Sequence, residues 1–425
     1  MKNIQKIIVV LVMFLLVFSL NSYINVEATI RLTQASSSDG SSSPAVTIQW
    51  WTPNWDEPES REMVSEFEAN NPDIKIDLVI TDWNTYKEKI TTALTGRNVP
   101  ELYTVLLTDV RPFAKLGLLE SLNILGEEAG IDFPDFVQPA LEITSVDDAI
   151  FGVPFRYDGS GIYYNIDILK EAGYDSFPTT WDEMILMSAK LKDLGYTPFA
   201  WPLGQQANAV TRLVQQLYTY GGSVLAEDQK TCLLNSDAAK TALSKIKETL
   251  DMGYASSSSM EIDNTIMRNM FGTGQIVFNF SGPFDIDTLL TDYPNLDFAT
   301  AVIPGIDGMG PTTANGWGIV MSSGSKNKEA AARFLSYITT PENQARLTDS
   351  FPASYTALKY EKFASDYLKP FATQLDNSRE EPSYDRWLEI EPIIYQYMQY
   401  ALAGTMSVDE ACEGMTKDIN SLLAF

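Results

Sequence analysis

The sequence predicts an α/β fold in which open sheets are flanked by helices, and three observations predict it. Short β-type runs alternate with stretches of helical periodicity from Val46 onward, and a second alternation starts at Gly152. Leu102 to Leu107 is an unbroken apolar run, the pattern of a strand covered on both faces of a parallel sheet. The chain has 425 residues, 45% hydrophobic and 20% charged, which is ordinary for a globular protein and long enough for two or three domains. Thirty Lys and Arg against 56 Asp and Glu leave a formal charge of −26. That field repels phosphate backbones, so no nucleic-acid partner is expected, nor a purely electrostatic dock on anionic lipid. The sequence contains no histidine, which removes Ser-His-Asp and Cys-His catalysis, the H-E-x-x-H zinc motif and every histidine metal site. Cys232 and Cys412 lack C-x-x-C spacing and cannot form a zinc site alone; whether they pair is open. Carboxylate chemistry, or binding without chemistry and without a cofactor, is what remains.

The elements follow in order. Lys2 and Lys6 precede an apolar run, Ile7 to Leu20, too short for a comfortable membrane span of about 20 residues and ordered like a secretory signal. Val26-Glu27-Ala28 offers a small-x-small cleavage site, so residues 1–28 read as a signal peptide, with an uncleaved anchor as the alternative. Residues 29–44 include the Ser-rich tract Ala35–Pro44, a flexible tether. The folded part is expected to start at Ala45, outside the cytoplasmic membrane, extracellular or periplasmic, free or membrane-associated.

Val46–Thr52 reads as a strand stopped by Pro53, and Met63, Val64 and Phe67 mark a helix ending at Asn70-Asn71-Pro72. Ile74, Ile76, Leu78 and Ile80 alternate along a second strand, and Tyr86, Ile90 and Leu94 mark a second helix. With Leu102–Leu107 this makes β-α-β-α-β, an open sheet that binds ligands beyond the carboxyl ends of its strands. Those ends carry Trp55-Asp56-Glu57, Asp82-Trp83 and Asp109. In the second unit, Gly152–Phe155 leads to Arg156-Tyr157-Asp158, and Thr180-Trp181-Asp182-Glu183 is a capping box opening a helix. Gln275–Phe280, Phe298–Ile303 and Trp317–Met321 read as strands, and Pro283 puts Phe284 and Asp285 in a first helical turn. Lys328–Ile338 is a helix, and Ser407-x-x-Glu410 caps the last one.

An ordered set of segments then carries a resemblance. It comprises Trp50-Trp51, Phe67-Glu68-Ala69-Asn70-Asn71-Pro72, Val99-Pro100-Glu101-Leu102, Leu118-Leu119-Glu120, and Phe151–Phe155 through Tyr163-Tyr164-Asn165 to Gly173. It continues with Pro178-x-x-Trp181-Asp182-Glu183, Phe271-x-x-Gly274-Gln275, Ser281-Gly282-Pro283, Pro304-Gly305, Gly316-Trp317-Gly318 and Pro352-Ala353. From about Thr47 to the end the chain resembles the extracellular solute-binding proteins of carbohydrate ABC transporters, the family of the maltodextrin binders. Two departures stand out: the leader is followed by no cysteine for lipid attachment, and Phe284 stands where the family often has Trp.

The resemblance implies a periplasmic-binding-protein-like fold of two lobes, each an open sheet flanked by helices, joined by hinge crossings. Residues 45–154 and 315–350 would form the N-terminal lobe, and 155–314 and 351–425 the C-terminal lobe. Crossings would fall near Pro154-Phe155-Arg156, Thr313-Ala314-Asn315 and Phe351-Pro352-Ala353. The implied function is capture of a mono- or oligosaccharide by hinge closure, as a monomer, and delivery to the permease subunits of a membrane transporter.

Sugar chemistry selects the candidate residues. Carboxylates and Arg bond hydroxyls with charge assistance, and flat aromatics cover the apolar sugar faces. The candidates are Trp55, Asp56, Glu57, Asp82, Trp83, Asp109, Arg156, Tyr157, Asp158, Trp201, Phe284, Asp285, Trp317, Trp387 and Glu389. Asp158 and Asp109 lead the polar set and Trp317 the aromatic one. Arg156 has the alternative of pairing with Asp158 as a structural bridge, Trp83 and Trp201 that of core residues, and Trp181 reads as core. The rival class is a secreted glycoside hydrolase drawing two carboxylates from Asp56, Glu57, Asp109 and Asp158, which would stand about 5–10 Å apart. A metal or oxyanion binder is a weaker third, because histidine and a Gly-rich phosphate loop are missing.

Overall fold

The structure, a computed structural model, describes residues 45–96 and 100–424. The leader and Ser-rich tether lie outside the described residues. Two sheets organise the rest. The first contains β1 (Val46–Pro53), β2 (Ile74–Thr81), β3 (Leu102–Leu106), β4 (Gly152–Gly159), β8 (Thr312–Met321) and β9 (Ser378–Glu380). The second is an antiparallel sheet of β5 (Gly161–Asn165), β6 (Phe278–Ser281) and β7 (Phe298–Ala301), with β5 in the middle.

The first three strands and the helices between them, α1 (Glu57–Asn70) and α2 (Trp83–Gly96), form the expected unit; β1 pairs in parallel with both β2 and β3. The sheet is not parallel throughout, as the apolar run had suggested. Leu102–Leu106 is flanked on its other side by β8, antiparallel, because β8 re-enters from the opposite end of the sheet and needs no crossover helix. Burial of β3 on both faces holds all the same: α2 and α3 (Leu107–Lys115) cover one face through Tyr86, Ile90 and Phe113, around Tyr103 and Val105.

Each sheet has its own core. Around the first, Trp50, Phe67 and Phe334 pack edge to face, with Phe334 supplied by α9 (Lys328–Ile338). Around the second, Phe199 stacks on Phe278 and Trp201 on Phe280, at 4.9 and 4.8 Å between ring centroids. The helices covering that core include α4 (Trp181–Asp193), α5 (Gln206–Thr219), α6 (Asp237–Asp251), α10 (Trp387–Leu402) and α11 (Val408–Leu423). Near β6 and β7 lie α7 (Asn264–Gly272) and α8 (Ile286–Asp292). The expected box forms in full at Ser407, while at Thr180 only its side-chain half is made. Thr180 accepts from the Glu183 amide at the start of α4, and Ser407 and Glu410 make a complete reciprocal box at the start of α11. Trp181 is core, as expected. Both cysteines are buried free thiols in this core, and burial pushes Cys412 up to about 11.

Three chain segments run side by side between the two sheets. β4 leaves the first sheet and, one residue later at Ser160, gives way to β5 in the second. β8 returns antiparallel to β4, and Phe351–Ala353 lies along the other edge of β4. There the Tyr157 amide donates to the Phe351 carbonyl at 3.1 Å and the Ala353 amide to the Phe155 carbonyl at 3.2 Å. The β4–β8 register slips between Trp317 and Gly318, opposite Arg156 and Pro154, where proline has no amide to donate.

The strands approach most closely at Gly316. A Cβ there would sit 1.9 Å from the Arg156 carbonyl oxygen, a backbone atom that cannot swing away. Gly316→Ala should therefore push β8 off β4 and destabilise the protein by about 1–3 kcal/mol. Denaturant unfolding is expected to show a lower midpoint at unchanged slope; an unaltered midpoint would mean the pair separates without strain.

Candidate functional site

Strand periodicity decides which side chains reach the space between the sheets. Along β4, Arg156 and Asp158 share one face, while Phe155 and Tyr157 turn into the first core. Opposite them on β8 stand Trp317, paired with Arg156, and Asn315, paired with Asp158. These four line a cavity of about 430 Å³ bounded by residues from both sheets and their helices. That volume suits a small ligand.

One wall is aromatic. Trp55 follows β1, Trp83 opens α2 at the carboxyl end of β2, and Trp317 comes from β8. Trp55 meets Trp317 edge to face at 4.5 Å, and Trp83 stands 6.1 and 6.2 Å from Trp55 and Trp317. Asn54 accepts a hydrogen bond from the Trp83 amide at 3.1 Å, which ties the two loops together. The three half-buried indoles present a broad apolar surface to the cavity.

At the base is a buried cation. The Arg156 Nε donates to Asp158 at 2.7 Å and its Nη1 to Asp349 at 3.0 Å, while its guanidinium lies 4.8 Å from the Phe284 ring and 5.9 Å from Trp55. The Ser350 hydroxyl completes the Asp158 carboxylate at 2.6 Å. Two further ion pairs line the cavity. Arg268 on α7 holds Asp285 at 3.1 Å, and Lys87 on α2 reaches Glu391 on α10 at 3.2 Å. Glu381 accepts from Asn315 at 2.7 Å, and burial raises its carboxyl pKa.

Of the residues proposed from sequence, Trp55, Asp82, Trp83, Arg156, Asp158, Phe284, Asp285, Trp317 and Trp387 come together around this cavity. The others do not. Trp201 is fully buried under the second sheet, its indole N–H donating to Thr249 at 2.9 Å. Tyr157 faces the first core because it alternates with Arg156. Asp109 starts α3 and sits beneath the wall against Lys87 at 3.4 Å, beside a side cavity of about 40 Å³. Glu57 pairs with Arg61 and Glu389 with Arg386, one helical turn away on the surface. Asp56 is buried just outside the cavity lining, near Arg156 and Asp349.

Sequence reasoning missed Asn54, Lys87, Arg212, Asn315, Asp349 and Glu391. Asn315 was accessible through its two-residue offset from Trp317, and Arg212 as a lone cation inside an apolar helical face. Asp349 and Glu391 carry no local signal, since long-range folding brings them to Arg156 and Lys87. Among the described residues, no group of three or more acidic or thiol side chains could hold a metal ion.

Asp56 gives the site a pH signature. Burial, reinforced by the charge of Asp349 and opposed by Arg156, raises its pKa from 3.8 to about 8. The folded state therefore binds a proton that the unfolded chain has already released, and stability falls as pH rises between about 4 and 8. Asp56→Asn removes that slope, up to about 1.4 kcal/mol per pH unit. Thermal unfolding of the variant should show a gain in stability at pH 7.5 that vanishes near pH 4. Equal effects at both pH values would exclude Asp56 as the titrating group.

Known proteins resemble this chain in sequence and in fold. A protein of Brucella abortus (strain 2308), described as a candidate binding protein, is 25% identical over 378 residues, 86% of this chain and 90% of that one. The GacH receptor of Streptomyces glaucescens GLA.O, solved unliganded and with acarbose, has a TM-score of 0.80 at 22% identity, covering 89% of this chain and 99% of its own. An ABC substrate-binding protein from Listeria monocytogenes in complex with cycloalternan also gives 0.80, at 21% identity over 90% of this chain and all of that one (100%). The fold is thus that of the two-lobed, periplasmic-binding-protein-like proteins. The family model for bacterial extracellular solute-binding proteins matches residues 54–345, well over half of the sequence, and the chain belongs to that family.

Proposed function

We propose that the protein binds an oligosaccharide outside the cytoplasmic membrane and delivers it, as a monomer and without catalysis, to the permease subunits of an ABC transporter. The observation that carries this reading is the three-tryptophan wall facing charged, hydrogen-bonding groups across one cavity. A pyranose has the matching anatomy, apolar C–H faces and a rim of hydroxyls. Relatives support the choice: a diacetylchitobiose-binding protein of Streptomyces coelicolor is 24% identical over 306 residues, 70% of this chain and 69% of that one.

In this reading residues 45–154 and 315–350 are one lobe, 155–314 and 351–425 the other, and β4, β8 and Phe351–Ala353 the hinge. Trp55, Trp83 and Trp317 stack on sugar rings. Asp82, Asp285, Trp387 and Phe284 contact the ligand, and Arg156 and Asp158 anchor it at the hinge. Binding without chemistry suits carboxylates already engaged by cations, as Asp158 and Asp349 are by Arg156 and Asp285 by Arg268.

Trp317→Ala should strip one sugar face of its cover and weaken binding about 10- to 100-fold. Asp193→Ala, at the exposed end of α4, should leave affinity unchanged. Calorimetric titration with the best ligand from a melting-shift screen of saccharides decides it, with folding of each variant verified by melting. A folded Trp317→Ala protein that binds like the parent would remove the wall from the site. Release of reducing ends on incubation would replace the binder by a hydrolase.

A further inference from the structure

Four cationic side chains line the cavity, and three are matched. Lys87 faces Asp109 and Glu391, Arg156 faces Asp158 and Asp349, and Arg268 faces Asp285. The fourth, Arg212 on α5, is 3% exposed and has no carboxylate within ion-pair distance among the described residues. Its Nη1 donates to Ser160 at 2.9 Å and to Gln215 at 3.0 Å, both neutral, and its Nε–H has no partner. A guanidinium withdrawn from water without a counter-charge is costly, and here burial lowers its pKa to about 10.

A second buried donor lies beside it. Asn208 precedes Arg212 by one helical turn, so both project from the same face of α5, and both line the cavity. The Asn208 carbonyl accepts from Asn264 at 3.0 Å, but its amide N–H group donates to nothing. Among the described residues lining the cavity, the Asn264 oxygen is the one buried acceptor left without a donor; the Gln216 oxygen, one turn after Arg212 on α5, is also unpaired but lies outside the lining. With the Nε–H of Arg268, one turn after Asn264 on α7, three buried donors of the cavity lining lack acceptors, two of them charged, and one acceptor lacks a hydroxyl. The carboxylates whose charges reach Arg212 are Glu381 and Asp285, and both are engaged elsewhere: Glu381 by Asn315 and Thr211, Asp285 by Arg268 and Ser281.

We propose that this corner receives the carboxylate of an acidic sugar, a uronate unit of the bound saccharide, with Arg212 as its counter-charge and Asn208 as a second donor. The inference rests on the saccharide reading above and narrows its substrate class. Arg presents a planar fork that fits a carboxylate, and a hydroxyl of the same ring matches the Asn264 oxygen. The net charge of −26 works against an acidic ligand at long range, so the preference depends on pairing with Arg212 inside the cavity, where that pairing replaces lost solvation.

Calorimetric titration of the full chain with galacturonate di- and trisaccharides, a glucuronate-bearing disaccharide, and the neutral galactose and glucose oligosaccharides of equal length tests this. An acidic sugar should bind at least about tenfold tighter than its neutral counterpart. Arg212→Met, which keeps most of the stem volume, should abolish that preference, while Arg212→Lys should retain part of it. Should Arg212→Met fail to fold, methyl-esterified galacturonates carry the same test on the unaltered protein and should lose the advantage. Neutral sugars binding as well as or better than the acids, esters binding like the acids, or a preference that survives in Arg212→Met would each overturn the uronate proposal alone. Binding of none of these saccharides would overturn the sugar reading together with it.

Discussion

A guanidinium buried where three chain segments run side by side is the constraint on which the rest of this structure depends. Arg156 lies on β4, between β8 and Phe351–Ala353, and is 5% exposed. A charge in that position must be paired, and its partners come from its own strand and from Asp349, just before the third segment. Ser350 joins through Asp158. The same side chain supports Phe284 on one flank and Trp55 on the other. The junction of the two sheets and the floor of the cavity are thus one network, and a ligand that contacts the floor also touches the segments on which the lobes would turn.

The division of labour around the cavity follows from where each group is made. The apolar wall is supplied by the ends of β1 and β2 and by β8, where loops and strand ends project beyond the sheet. Most of the polar groups on the far side come from helices α5, α7 and α10, whose side chains stand on rigid turns. Lys87 and Glu391 join the two sides, from α2 to α10. In the proposed reading, the aromatic side would cover sugar faces and the helix-borne polar side would read their substituents.

Much of the fold was legible because its signals are local. Alternation at Ile74–Ile80, the apolar run at Leu102, and the caps at Thr180 and Ser407 each depend on neighbours a few residues away. The direction of β8 was not legible, because a returning strand has the same composition whether it pairs parallel or antiparallel. The tryptophans divided along the same line. Trp83 follows from its place at the end of β2 and Trp317 from its place just past a crossing, but Trp201 follows Phe199 into the core by packing that no local pattern announces. Tyr157 was recoverable, since a strand that points Arg156 into the cavity must point Tyr157 away. Asp109 misled for a related reason: the end of a buried strand was located correctly, but the first turn of α3 folds that carboxylate back under the wall toward Lys87.

The central claim is that a saccharide is gripped between two lobes that turn on the Arg156 junction. Ligand groups spread over both lobes can all engage only when the lobes are drawn together, so a ligand with that differential affinity must shift the population toward closure. Small-angle scattering of the protein alone and saturated with its best saccharide measures this most directly. The account predicts a smaller radius of gyration with ligand bound, and an unchanged scattering curve at proven saturation would contradict it.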